Sequence, residues 1–252
     1  QGKIILTFDD TLKCHFDYVF PELIKRDLWG IFYVPVSPYK TKKILDVHRI
    51  HLLCGAFNGI DLLKYLLELI DEKMIPDKRK NQFNIKTYSD KERIKEFDEL
   101  IEFKRILNYF ISYEHRQTVI DKISNKFKIN YEKDFYVNTN NLKLMEQSGM
   151  IIGSHTFNHP VMSKLNRSDQ LNEIKSSFNF LKEIDCIKNK TYCHPYGGFH
   201  SFNSDTLDLL KQENVLYSFN VESRDIKQED IFNSPHVLPR YDCNEFPYGK
   251  AS

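Results

Sequence analysis

KIILTFDD, residues 3–10, is a short apolar run rich in β-branched residues that ends on two adjacent carboxylates, Asp9 and Asp10. IFYVPV, residues 31–36, is a second such run. Runs of this length and composition read as buried strands, and the residues between them, about Phe16 to Lys25, carry a helix. The alternation returns later in the chain. Thr139 or Asn140 caps a helix bearing Leu142, Leu144 and Met145, Gly149 ends it, and MIIG at 150–153 is a strand. There follow a helix from Ser168 to about Ile184, a strand near Lys190 to His194, a helix from Ser204 to Asn214 and a strand from Leu216 to Val221. Ser168 and Ser204 read as N-caps, and the segment from Pro235 as short and irregular. Such alternation predicts an α/β fold with a mostly parallel sheet, open or closed into a barrel, and chemistry at the carboxyl ends of the strands.

Between these halves, from about residue 40 to 135, the pattern is helical: Ile94, Phe97, Ile101 and Phe110 share one stripe, and Val119, Ile120, Ile123 and Phe127 another. Gly and Pro are sparse there and no linker flanks the stretch, so residues 1–252 read as a single domain carrying a helical insertion. Lys and Arg number 36 against 35 Asp and Glu, a net charge of +1, which leaves no broad basic field for nucleic acid. No apolar run reaches the roughly 20 residues needed to span a bilayer, and a strand starting at Lys3 leaves no room for a leader. The five cysteines, Cys14, Cys54, Cys186, Cys193 and Cys243, are odd in number and form no CxxC pair. That is neither a disulfide framework nor a zinc-finger pattern, and a cytoplasmic protein is expected.

Four groups of residues carry possible chemistry. Asp9 and Asp10 follow a buried strand, where the backbone turns and both carboxylates can point into one cavity; close carboxylates repel and call for a metal or a shared proton. An Asp-Asp pair also serves simply as a turn and helix cap. His155-Thr-Phe-Asn-His159 follows the strand at 150–153, and a spacing of four puts both imidazoles on one side of a helical turn, within reach of one divalent ion. Taken alone, two surface or satisfied histidines explain it equally. Together, one carboxylate and two imidazoles make a three-ligand site with an open position, and the second carboxylate is then available as a base, the minimum for metal-assisted hydrolysis. TYCHPYGG, residues 191–198, ends another strand, and a backbone N–H there can meet an oxyanion; a structural turn is the plainer reading. LPRYDCNEFPYG, residues 238–249, brings Arg240, able to grip a carboxylate or phosphate or to form a surface ion pair.

TFDD, SHTFNH and the PYGG turn, in that order, resemble the polysaccharide deacetylase family, also called the NodB-homology or family 4 carbohydrate esterases. The similarity spans residues 7–198, with the helical insertion outside the shared core. It implies a distorted (β/α) barrel and metal-dependent removal of an acyl group from a sugar. The family's base falls on Asp9, its metal ligands on Asp10, His155 and His159, and its oxyanion-binding N–H on Tyr196. Two features depart from the family. The Arg that orients the base is replaced by Cys193, so Arg240 is the expected substitute. The Leu-x-His that supplies the general acid is missing from His236-Val-Leu-Pro-Arg240, leaving His236 or His194 as candidates. FKRILNYF, SHTFNHPVMSKL and RYDCNEFP also look like deacetylase-like proteins of bacterial surface-glycan clusters.

The expected activity is therefore release of an N-acetyl or N-formyl group from an amino sugar of surface-glycan biosynthesis, free, nucleotide-linked or lipid-linked. The expected cofactor is a divalent ion, zinc first, with cobalt, nickel or manganese as substitutes. The alternatives are a metal-dependent amidase on a non-sugar substrate and a carbohydrate-binding protein of the same fold without catalysis. Partners include no nucleic acid and no membrane span, and the oligomeric state is open.

Overall fold

A computed structural model of the protein describes residues 3–84, 98–132, 134–247 and 249. The chain divides into two compact units. One takes in the chain up to Lys43 and from Asp134 onward; the other is Ile44–Lys133.

The first unit holds the strands β1 (Leu6–Asp9), β2 (Gly30–Val34), β3 (Ile151–Ser154), β4 (Thr191–Cys193) and β5 (Tyr217–Phe219). Helices α1 (Phe20–Lys25) and α2 (Ser37–Thr41) flank β2 in sequence. All strand pairs are parallel and the sheet runs β1-β2-β3-β4-β5. A sheet that grows along one edge only has no reversal of strand order, so its winding is that of a distorted (β/α) barrel rather than of a doubly wound sheet. Every strand then ends on the same rim.

The central strands β2 and β4 are buried on both faces, which is why β2 reads as a continuous apolar run. β1, expected to be buried, is only half-buried because it pairs on one side alone, and Ile4 and Ile5 before it are exposed. Along β2, Ile31 and Tyr33 join Cys193, Phe219 and Leu238 on one face. Phe32 and Val34 face the other way, into a cluster with Ile152, Tyr192, Phe20, Leu142, Ile174 and Leu209. Gly153 on β3 is fixed by this packing, because a Cβ there would lie 2.5 Å from the Tyr33 ring. That ring cannot swing aside without losing the 3.0 Å hydrogen bond between the Tyr33 hydroxyl and Thr191 Oγ1. Gly153→Ala is expected to cost about 1–3 kcal/mol by overpacking, read as a lowered urea midpoint; an unchanged midpoint would show that the Tyr33 layer yields freely.

The second unit contains α3 (Asp46–Ala56), α4 (Gly59–Leu69), α5 (Asp77–Phe83), α6 (Asp98–Arg105) and α7 (Tyr113–Phe127). It has its own core: Ile50 and Leu53 of α3, Leu62 and Leu66 of α4, Phe103 of α6, and Val119, Ile120 and Ile123 of α7. The expected α7 stripe is thus the packed face. Of the other expected stripe, Phe110 is buried and Ile101 half-buried, while residues 94 and 97 lie outside the described residues.

After Asp134 come α8 (Thr139–Gln147), α9 (Arg167–Glu183), α10 (Ser204–Gln212) and α11 (Gln228–Asn233). Their caps differ from expectation. Asn138, Asn166 and Asn203, not Thr139 or Asn140, Ser168 and Ser204, accept the N–H of the third helical residue at the start of α8, α9 and α10. The Asn side-chain oxygen reaches that orphan donor, which places each helix start one or two residues earlier. β1 is also shifted: its pairing begins with Leu6 against Gly30, so Lys3–Ile5 precede the ladder and Asp9 is its last residue. The segment after Pro235 is not merely irregular. Leu238 bridges Phe219 in parallel, donating its N–H to Ser218 O and accepting from Asn220 N, so the chain runs along β5 and carries Arg240 to the rim. Among the described residues, no helix is long and apolar enough to cross a membrane.

Candidate metal centre

Asp9 pairs opposite Tyr33 at the end of β1. Strict alternation would send Asp10 to the other face, but Asp10 and Thr11 both adopt left-handed backbone, with φ of 72° and 45°. This local reversal is unfavourable for residues with a Cβ and allows consecutive carboxylates to serve one rim.

His155 follows β3. Its Nδ1–H donates to Cys193 O at 2.8 Å, the only role open to it against a carbonyl, so the lone pair sits on Nε2. Nε2 lies 3.7 Å from Asp10 Oδ1, and His159 Nε2 lies 3.6 Å from the same oxygen. The two imidazoles are buried, their ring centres 4.7 Å apart. Their convergence does not come from the helical turn that the spacing suggested. Thr156 and His159 have φ of 66° and 55°, so residues 155–159 form a looped bend. Thr156 Oγ1 accepts the His159 N–H at 2.9 Å and closes the bend.

The three donor atoms lie within 4.8 Å of one another. Separations of 3.6 and 3.7 Å are too long for hydrogen bonds. Ligands at about 2.0–2.2 Å from one ion at tetrahedral or wider angles lie about 3.3–3.8 Å apart. A carboxylate oxygen with two imidazole nitrogens therefore fits a divalent ion such as zinc, with a coordination position left over. A second cluster, Asp9, His155 and Cys193, fits less well. Burial pushes the Cys193 thiol well above its ordinary value, and Asp9 is already engaged by a guanidinium.

That guanidinium is Arg240. Nη1 donates to Asp9 Oδ1 at 2.9 Å and to Thr7 Oγ1 at 3.1 Å, Nη2 donates to Asp9 Oδ2, and Nε donates to Asn220 O at 2.9 Å. Cys193 Sγ also donates to Asp9 Oδ2, at 3.5 Å. Burial alone would raise the Asp9 pKa, but the charge and hydrogen bonds of Arg240 outweigh it and hold the carboxyl below its ordinary value. Tyr196, in the turn after β4, also has left-handed backbone, φ 64°, and its ring centre is 5.0 Å from that of His159.

His194 and His236 are engaged away from these donor atoms. Nε2–H of His194 donates to His236 O at 2.9 Å, and His236 Nε2 donates to Val215 O, before β5 begins. Val215 precedes the rim residue Phe219 by four positions, about 13 Å of strand. Burial pushes the His194 imidazole from 6.5 to about 3, so it stays neutral. The unfolded chain takes up a proton near pH 6.5 that the folded chain refuses until about pH 3. Stability therefore falls as pH is lowered through that window, by about 1.4 kcal/mol per pH unit from this group. His194→Gln is expected to flatten that slope in urea titrations between about pH 6 and 4; an unaltered slope would mean that the ring is not held neutral.

Thr156 and Glu173 were not among the residues singled out from sequence. Glu173, on α9, accepts Phe157 N at 2.9 Å and Asn158 N at 2.7 Å on Oε2, and Asn158 Nδ2 at 2.6 Å on Oε1. The available signal was a run of polar residues, Gln170, Glu173 and Ser177, on the same helical face as Ile174, Phe178 and Leu181.

The polysaccharide deacetylase family model matches residues 104–219, a span that includes His155, His159 and Tyr196 but not Asp9, Asp10 or Arg240. No curated protein matches the chain in sequence. Among solved structures, the deacetylase PplD of Streptococcus pyogenes, in complex with acetate, is similar over 94% of this chain and 62% of its own, with 15% identity and a TM-score of 0.53. The chain thus spans about three fifths of that structure's length. IcaB of Ammonifex degensii is similar over 96% of this chain and 68% of its own, at 16% identity and a TM-score of 0.49. The BpsB deacetylase domain of Bordetella bronchiseptica is similar over 94% and 70%, at 15% identity and 0.48. The chain is thus similar to the polysaccharide deacetylase family over residues 104–219 and shares the fold of the S. pyogenes deacetylase.

Proposed function

We propose that the protein is a metal-dependent hydrolase that removes an N-acyl group, acetyl or formyl, from an amino sugar of surface-glycan biosynthesis, free, nucleotide-linked or lipid-linked. The observation that carries this reading is the convergence of Asp10, His155 and His159 beside a separate carboxylate, Asp9, held by Arg240. A pure sugar binder has no use for both carboxylates. An N-acetyl group is the first to test, since the S. pyogenes protein of this fold is a deacetylase holding acetate.

Asp10, His155 and His159 would hold the ion, and zinc suits one carboxylate and two imidazoles. A divalent ion bound there supplies a water of lowered pKa and positive charge beside the acyl oxygen. Asp9 would take the proton of the attacking water, and a carboxylate of low pKa would suffice where an ion held by Asp10, His155 and His159 acidifies that water. Arg240 keeps Asp9 ionised and oriented. The Tyr196 N–H receives the acyl oxygen as it gains charge. As the C–N bond breaks, the leaving nitrogen needs one proton. With His194 and His236 engaged elsewhere, Asp9 would return the one it took, leaving an amine and a carboxylic acid, whose own proton then passes to the amine or to solvent.

Protein stripped of metal and reloaded with zinc, cobalt, nickel or manganese tests this reading, by acetate or formate release from N-acetyl and N-formyl amino sugars. One ion per chain and acyl release are expected, both lost in His155→Ala. An ion-loaded protein that binds these sugars and releases nothing would overturn the hydrolase reading in favour of a sugar-binding protein.

A further inference from the structure

We propose that Glu173 is a positioning residue that fixes both imidazoles of the metal centre by locking the loop between them; its consequence for metal rests on the hydrolase reading above. Residues 155–159 carry two ligands in a bend that the backbone disfavours, since Thr156 is β-branched and left-handed, and His159 is left-handed as well. Such a conformation persists only where its surroundings over-determine it. His155 is fixed through its ring to Cys193 O, and Thr156 Oγ1 ties the two ends of the bend. The middle, Phe157 and Asn158, directs its backbone N–H groups to Glu173 on α9.

There, one carboxylate receives both N–H groups and the Asn158 side-chain amide. Glu173 is buried at 9% exposure, and none of the ion pairs found among the described residues includes it. A carboxylate buried on a helix without a cation is costly, and here its charge is met by three donors from one loop. Its effect on an ion would pass through the backbone: Phe157 and Asn158 join His155 to His159, so their position sets the distance between the two Nε2 atoms.

Glu173→Gln keeps the shape and one good acceptor but turns an N–H2 group toward Asn158 or the backbone donors. Glu173→Leu removes all acceptors. The expected results are a zinc affinity about 10-fold weaker in the Gln variant and about 100-fold weaker in the Leu variant, the range seen when outer partners of metal ligands are removed. In cobalt-loaded protein the visible absorption bands, which report ligand geometry, are expected to shift in both variants. If the Leu variant fails to fold, the Gln variant alone decides. A folded Gln variant with the affinity and cobalt spectrum of the parent would overturn the proposal. Amide exchange of Phe157 and Asn158 in metal-free protein separates this from the wider reading. Faster exchange in the Gln variant is expected, and unchanged exchange would overturn the clamp. A parent protein that binds no ion while those amides remain protected would sink the hydrolase reading and leave the clamp standing.

Discussion

Asp9→Asn is expected to lower turnover by roughly 100- to 10,000-fold while the protein still binds one ion. The substitution keeps shape and volume, and the three donor atoms, one each from Asp10, His155 and His159, are untouched. What it removes is proton affinity: an amide cannot take the proton of an attacking water or return it to a leaving amine. The site is sensitive to this because the other nearby candidates are committed. His155 Nδ1 donates to Cys193 O, His194 is neutral and buried, and His236 faces Val215 O. The introduced amide also meets Arg240 imperfectly, since its N–H2 would face a guanidinium donor where Asp9 offers two acceptors. Some loss of stability accompanies the loss of rate, so the decisive measurement is kcat alongside metal content in folded protein. Full activity with the ion bound would remove Asp9 from the mechanism.

Much of this site is legible in the sequence because its residues sit directly after strands that announce themselves. IFYVPV is buried on both faces, so its apolar character is uninterrupted, whereas KIILTF reads as buried but is not: β1 is half-buried and Ile4 and Ile5 before it are exposed. The route by which His155 and His159 converge is not legible. Spacing alone suggests a helical turn, whereas left-handed Thr156 and His159 build the bend, and such backbone is held by tertiary contacts with no local signature. The C-terminal segment misleads for the same reason: Leu238 pairs with Phe219 across nearly twenty residues, and nothing near Pro235 forecasts it. Helix starts miss by a residue or two because Asn, Ser and Thr cluster at each, and only geometry shows which oxygen reaches the free N–H. Glu173 acts from a helix 14 residues beyond His159, and its only trace is a polar residue on an apolar stripe.

Arg240→Met is expected to be the most destabilising single change at the site, by about 3 kcal/mol at neutral pH, because it leaves a largely buried carboxylate without its countercharge. The pH dependence should change sign with it. In the parent, Asp9 titrates below its ordinary 3.8 in the folded state. It therefore contributes stability above pH 3.8 that is lost as pH falls through the lower, folded-state value. Without Arg240, burial is no longer outweighed and the folded-state pKa rises above 3.8. Asp9 then penalises the folded state at neutral pH, and the penalty is relieved as pH falls through the raised value. The acid limb of the rate profile, which reports the base, moves to higher pH in step. Arg240→Lys separates charge from geometry: an ammonium restores part of the stability but cannot reproduce two parallel N–H donors, so turnover should recover less than the denaturation midpoint. The hypothesis that an arginine from the C-terminal segment does the work that Cys193 cannot makes one further demand. Cys193→Arg in the Arg240→Met background places a guanidinium on the other side of the same carboxylate, and should return the acid limb toward its parental position if the group at 240 acts only by orienting and ionising Asp9. If the limb never moves in Arg240→Met, Asp9 is held by something other than this ion pair, and Arg240 serves the Thr7 and Asn220 contacts instead.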